Sequence, residues 1–235
     1  MTTSPARRAL IALVLAPVTA LALTGCGGSA GDDNTSPADA LAAAKKAMDS
    51  ASSWHMTLST KSQPPDGNGV LGADGVGTHD PRAWKGTVEA MLKGLHANVP
   101  IVSVGGNVYA KLPFVGKYVT IDPSEYAAPD PADFMDPDTG LSALLTQLKG
   151  AKAGKKVRDG KDIVTRYAGT LDGATVRRII PSASSSGTFD TTVDINADHQ
   201  VTSVSVTGPF FAGDDAVTYD LTVDDYGQDV KITAP

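Results

Sequence analysis

Apolar side chains along this chain follow two periods. Trp54, Met56 and Leu58 alternate with His55, Thr57 and Ser59, and the turn Pro64-Pro65-Asp66-Gly67 closes that first segment. A period of two with a turn behind it predicts a half-buried strand. Similar segments follow at Val70 to Thr78, Trp84 to Leu92, Val99 to Val104, Asn107 to Leu112, Lys161 to Thr170, Phe189 to Ile195, Val201 to Thr207, Val217 to Val223 and Val230 to Thr233. Short turns such as Gly105-Gly106 and Asn196-Ala197-Asp198 join many of them, the signature of a large antiparallel sheet. Helical spacing occurs in three places. Leu41, Ala44, Met48 and Ala51 share one face behind the cap sequence Ser36-Pro37-Ala38-Asp39. Leu141, Leu144, Leu145 and Leu148 form a stripe after Asp136-Pro137-Asp138, and Ala174 to Ile180 offers Val176, Ile179 and Ile180 before Pro181. Three helices gathered on one face of a curling sheet of eight or more strands leave either a filled core or a cavity beneath them, and the pattern fits both.

The N-terminus reads as an address. Arg7 and Arg8 precede a 15-residue apolar stretch, Ala9 to Leu23, interrupted by Pro17 and too short for a bilayer span. It ends in Leu23-Thr24-Gly25-Cys26, which resembles a bacterial lipobox. The expectation is a signal peptide over residues 1–25, with Cys26 as the first mature residue and the lipid anchor, N-palmitoyl and S-diacylglycerol. Ala6-Arg7-Arg8-Ala9-Leu10 lacks the rest of a twin-Arg signal. Residues 26–35 then form a polar tether with about 20 Å of reach. Residues 36–235 form the domain.

Removing residues 1–25 leaves 18 Lys and Arg against 26 Asp and Glu, a net charge of −8. Finding no clustered Lys and Arg, this reading sets nucleic-acid partners aside. Cys26 is the only cysteine, so once it is lipidated the domain has no disulfide, thiol nucleophile or Cys-based metal site. The four histidines, His55, His79, His96 and His199, show no i, i+4 pair and no H-E-x-x-H, so neither a metal nor a cofactor is expected. Asp130, Asp133, Asp136 and Asp138 lack the glutamate and spacing of a calcium loop and read as turn and cap residues. Gly27-Gly28-Ser29-Ala30-Gly31 fits G-x-S-x-G but lies in the tether, away from the strand and helix a nucleophile elbow needs. Gly67 to Gly72 fits G-x-G-x-x-G but reads as a hairpin loop, because no helix follows. No catalytic set assembles from these motifs.

The lipobox and tether occur together with Val102-Ser103-Val104-Gly105-Gly106-Asn107-Val108-Tyr109-Ala110-Lys111-Leu112, with Asp136-Pro137-Asp138-Thr139-Gly140-Leu141 and with the tail Tyr226 to Pro235. In combination they resemble the mycobacterial lipoproteins LppX, LprA, LprF and LprG over the whole mature chain. The resemblance implies an α+β fold: one highly curved antiparallel sheet, a half-barrel similar in shape to the LolA and LolB carriers, with helices over its concave face and a hydrophobic cavity between. It implies a non-enzymatic protein at the outer face of the cell membrane. There it would bind acylated lipids or glycolipids and help carry them toward the outer envelope. For the LprG branch it implies a major facilitator superfamily exporter as partner and triacylglycerol-type cargo.

The strand matching Gly86-Thr87-Val88 lines the cavity in that family. The expected lining here is Val88, Leu92, Val102, Val104, Leu112, Leu141, Leu144, Leu145, Leu148, Val176 and Ile179. Small residues at Gly86, Ala90 and Ala110 are expected to leave volume inside, since packed sheets prefer Val or Ile there. Two other readings remain open: a structural or transporter-accessory lipoprotein with a filled core, and an envelope acyl-ester hydrolase with a buried Ser close to a His. The Gly- and Pro-rich segments Pro64 to Gly77 and Asp122 to Asp133 depart from the family pattern, so the cavity mouth and its ligand can differ.

Overall fold

The computed structural model describes residues 35–235 except 66, 114, 127 and 212–214. Residues 35–235 form one compact unit with its own core. The unit opens with α1 (Pro37–Ser50), and Ser36 caps it by accepting a hydrogen bond from the Asp39 backbone N–H at 3.2 Å. Ala40, Leu41, Ala44 and Met48 form its buried face. Five strands and a short sixth follow: β1 (Ser53–Thr60), β2 (Gly69–His79), β3 (Arg82–Leu92), β4 (Leu95–Val104), β5 (Asn107–Ala110) and β6 (Val119–Ile121). After two 3-10 turns, Pro123–Tyr126 and Pro131–Met135, come α2 (Leu141–Leu145), β7 (Lys149–Asp159), β8 (Asp162–Asp172) and α3 (Gly173–Ile179). The chain ends through β9 (Thr188–Ile195), β10 (Val201–Gly208) and β11 (Val217–Asp224).

All eleven strands join one antiparallel sheet in the order β6-β5-β4-β3-β2-β1-β11-β10-β9-β8-β7. The sheet is not closed: β6 and β7 are its two edges. The chain therefore meanders outward from β1 to β6, crosses to the opposite edge through residues 122–148, and meanders back until β11 pairs with β1. Leu58 stands opposite Leu221, and Met56 opposite Val223. The crossing segment and α1 pack on one face, where Trp54, Met56, Leu221 and Val223 join Leu41, Met48, Met135 and Leu145 in a single core. Asp49 ties the two helices together, accepting from Ser142 Oγ and from Lys45 Nζ, each at 2.5 Å, while Lys45 also donates to Pro137 O at 2.6 Å.

Three sequence expectations change here. Segment 149–159, whose Lys- and Gly-rich sequence has no alternation, is strand β7, exposed along nearly its whole length. Val230 to Thr233 is not a strand: Ile232 is buried against Ala83 and Val102, with Val230 packed beside it. Gly86 and Ala110 do not leave a hollow. Gly86 faces Gly75 across the β2–β3 ladder, and the Trp84 indole fills the space that side chains there would take. Ala110 is fully buried in the same cluster as Trp84.

Candidate functional site

An apolar hollow of about 90 Å³ lies between the sheet and the helices. Its floor comes from β1 (Leu58), β8 (Leu171), β9 (Thr191, Val193), β10 (Val204, Val206) and β11 (Tyr219, Leu221, Val223). Its roof comes from Met48 of α1, from Leu141, Leu144, Leu145 and Leu148 in and after α2, and from Val176, Ile179 and Ile180 in and after α3, with Phe210 at one end. Phe210 stands edge-on to Phe189 and to Tyr219, each at 4.8 Å between ring centroids. This aromatic wall is a favoured T-shaped arrangement and gives that end a fixed shape.

Sixteen of the eighteen lining residues are Leu, Ile, Val, Met or Phe. The other two have spent their polar groups on the backbone. Tyr219 OH donates to Val70 O at 2.5 Å, and Thr191 Oγ1 donates to Phe189 O at 3.2 Å. Burial pushes the Tyr219 hydroxyl well above the usual phenol range, so it stays protonated and keeps donating. The hollow therefore offers a guest dispersion contact and exclusion of water, with no polar group left to recognise. At the roof, Gln147 Oε1 accepts from Arg178 Nη2 at 2.8 Å and from Thr175 Oγ1 at 3.3 Å, linking the end of α2 to α3.

The eleven residues expected to line a cavity fall into separate places. Leu141, Leu144, Leu145, Leu148, Val176 and Ile179 converge on the hollow. Val88 and Leu112 pack against the neighbouring cluster of Trp84, Val99, Ile101 and Val108. Leu92 stands at the end of β3 opposite Leu95. Val102 and Val104 project from the other face of the sheet: they pair with Lys85 and Ala83, one residue out of phase with Trp84, and pack with Ile232. The strand walls of the hollow, among them Leu58, Val204, Val206, Tyr219 and Leu221, were not singled out from sequence. Their alternation was visible, but that β1 would lie beside β11 was not.

The other chemistry-bearing residues are occupied. His55 Nδ1 lies 2.8 Å from Asp224 Oδ1, His96 faces Glu89, and His79 Nε2 donates to Met48 O. Among the described residues none of these rings pairs with a serine hydroxyl, and no group of three His, Cys, Asp or Glu could hold a metal. Asp130 accepts from Ala132 N–H at 2.9 Å and from Ser103 Oγ at 2.5 Å, and Asp136 accepts from the N–H groups of Asp138 and Thr139. The acidic loop is thus a run of caps and turns, with Arg82 bonded to Asp136. Cys26 and Gly27 to Gly31 lie outside the described residues.

The architecture is a single open antiparallel sheet of eleven strands with few, short helices. The chain belongs to the LppX_LprAFG lipoprotein family, whose family model matches residues 36–232. The lipoarabinomannan carrier protein LprG of Mycobacterium tuberculosis is similar, 28% identical over 200 residues, covering 81% of this chain and 77% of that one. Among solved structures, LprF from Mycobacterium bovis superposes with a TM-score of 0.68 at 18% identity, over 85% of this chain and 96% of LprF. Mycobacterium tuberculosis LppX gives 0.62 at 18% identity, over 84% and 98%. These two likenesses show the shared fold.

Proposed function

We propose that this chain is an exported, non-enzymatic lipoprotein that binds acylated lipid or glycolipid beneath its helices and helps carry it from the cell membrane toward the outer envelope. Cys26 holds it to the outer face of the membrane in this reading, and a major facilitator superfamily exporter acts alongside it. The observation that carries the proposal is the lining of the hollow: apolar on every side, with its two polar groups already bonded to main-chain carbonyls. Such a site suits an acyl chain and leaves the head group outside. The name of the LprG relatives, lipoarabinomannan carrier protein, supports the same chemistry.

Size sets a condition on this reading. At about 90 Å³ the hollow is smaller than the roughly 150 Å³ that admits a benzene ring in an engineered apolar cavity. An acyl chain enters only if the roof moves. Two of the three roof helices are short, α2 with 5 residues and α3 with 7, and are held by packing rather than by their own propensity. The same small volume favours a second reading, a lipoprotein with a filled core and no cargo. Native mass spectrometry of residues 35–235, expressed in an actinobacterial host, separates the two. A stoichiometric lipid adduct that is lost in Val206→Trp and in Leu144→Trp, with the circular dichroism spectrum kept, is the expected result. A clean apo mass for the unsubstituted protein would leave the filled-core reading standing.

A further inference from the structure

The returning half of the sheet begins with a feature that the cavity does not explain. β7 is an edge strand, paired with β8 on one side only, and it is exposed from Lys152 to its end. The segment 149–163 carries Lys149, Lys152, Lys155, Lys156, Arg158 and Lys161 with Asp159 and Asp162, and Lys149 is ion-paired with Asp172 of β8, in a chain with 20 basic and 26 acidic residues. This basic run is contiguous in the sequence, contrary to the expectation of no clustered Lys and Arg, and the fold exposes it along one edge of the sheet. Beside its turn stand two large apolar side chains, Val157 at 41% and Ile163 at 56% exposure; Val157 is opposite Val164 and Ile163 opposite Arg158, adjoining pairs of the ladder, so the two project from opposite faces of the hairpin. The turn itself is the two residues Gly160 and Lys161, with Gly160 at φ +55°.

Edge lysines alone have an ordinary explanation, since charge on an exposed edge discourages strand pairing with other chains. Exposed Val157 and Ile163 work against that purpose. An exposed apolar side chain on each face of a hairpin rich in Lys and Arg, behind the turn Asp159-Gly160-Lys161-Asp162, gives the composition of a segment that settles at the boundary of a lipid bilayer, the cations on phosphate groups and Val157 and Ile163 flanking them. Charge complementarity selects the occupant: a net-negative protein is repelled by an anionic surface everywhere except where it collects positive charge. We propose that the β7–β8 hairpin docks the domain on an anionic lipid surface, a contact made by the protein itself and separate from any anchor at Cys26.

Flotation of residues 35–235, which lack Cys26, with phosphatidylcholine vesicles with and without phosphatidylglycerol tests the docking, whatever the hollow contains. Binding should require phosphatidylglycerol and weaken as salt rises. Lys152→Glu combined with Lys155→Glu should lower the partition at least about tenfold, given roughly one kilocalorie per mole for each cation at such a surface. Val157→Ser with Ile163→Ser should lower it too, while leaving any binding to a duplex DNA oligonucleotide unchanged. All four positions are exposed, and circular dichroism checks that the variants fold. Equal flotation with both vesicle types, no response to either double variant, a preference for DNA over the anionic vesicles, or a concentration-dependent dimer abolished by the same substitutions would each overturn the proposal.

Discussion

Asp194 is 3% exposed on β9, beneath a forked contact: Arg166 Nε and Nη2 donate to its two oxygens at 2.8 and 2.6 Å, and Ser203 Oγ donates at 3.1 Å. The hydrogen bonds from Arg166 outweigh the penalty of burial and hold the carboxyl below its ordinary range. Its contribution to stability is therefore present above the ordinary carboxylate value and is lost as pH falls through the lowered one. Arg166→Met leaves a buried charge without its partner. It should cost about 2–3 kcal/mol in urea unfolding, less than for a fully buried pair because the Arg166 side chain is half exposed. His55 behaves in the opposite sense. Partial burial works against its charge, but hydrogen bonds to Asp224 and Asp74 outweigh that and raise its pKa. The pin it forms across β2, β1 and β11 is fully present below the ordinary imidazole value of 6.5 and lost as pH rises through the raised value. His55→Gln should abolish that part of the pH dependence of the denaturation midpoint.

At the scale of elements, large side chains lie over glycines. Gly77 stands between Trp54 and Trp84 in the β1–β2–β3 register, and the Met135 side chain fills the place of its missing Cβ. A Cβ at Gly86 would lie 2.6 Å from both Gly75 Cα and Trp84 Cη2. Gly86→Ala should therefore destabilise the sheet by about 1–3 kcal/mol through overpacking, measurable as a lower denaturation midpoint. The helices were readable because cap, proline and stripe agree at Ser36, Pro37 and Leu41. The sequence stripe of α2 ran to Leu148, whereas the helix stops at Leu145 and Leu148 leads into β7 while still lining the hollow. β7 was not readable: an edge strand wet on both faces needs no apolar alternation, so periodicity leaves no trace of it.

The whole molecule depends on one connection. Residues 122–148 link the two edge strands, β6 and β7, so they must cross the face of the sheet, and this crossing carries α2 over the hollow. If the roof opens for cargo, the loaded form gains contacts the empty form lacks, and a ligand bound only to the folded state raises its stability. Protein purified with lipid should therefore melt higher than the same protein after delipidation. A loading at about a hundred times the dissociation constant corresponds to about 2.7 kcal/mol. Equal melting temperatures would count against cargo binding.

Local rules explain what was legible. Alternation, caps and turn residues act within a few positions, so most strands, the three helices and the apolar character of Leu141, Leu144, Leu145, Leu148, Val176 and Ile179 could be read from the sequence. Strand order is long-range. That β11 closes against β1, bringing Leu58 to Leu221, places the hollow beneath β1 and β8 to β11 and leaves Val88 and Leu112 in a separate cluster. Phase depends on it as well. Val102 and Val104 are as apolar as Val204 and Val206, yet the first pair meets the C-terminal tail and the second lines the hollow, because side chains alternate faces and only the assembled sheet decides what covers each face.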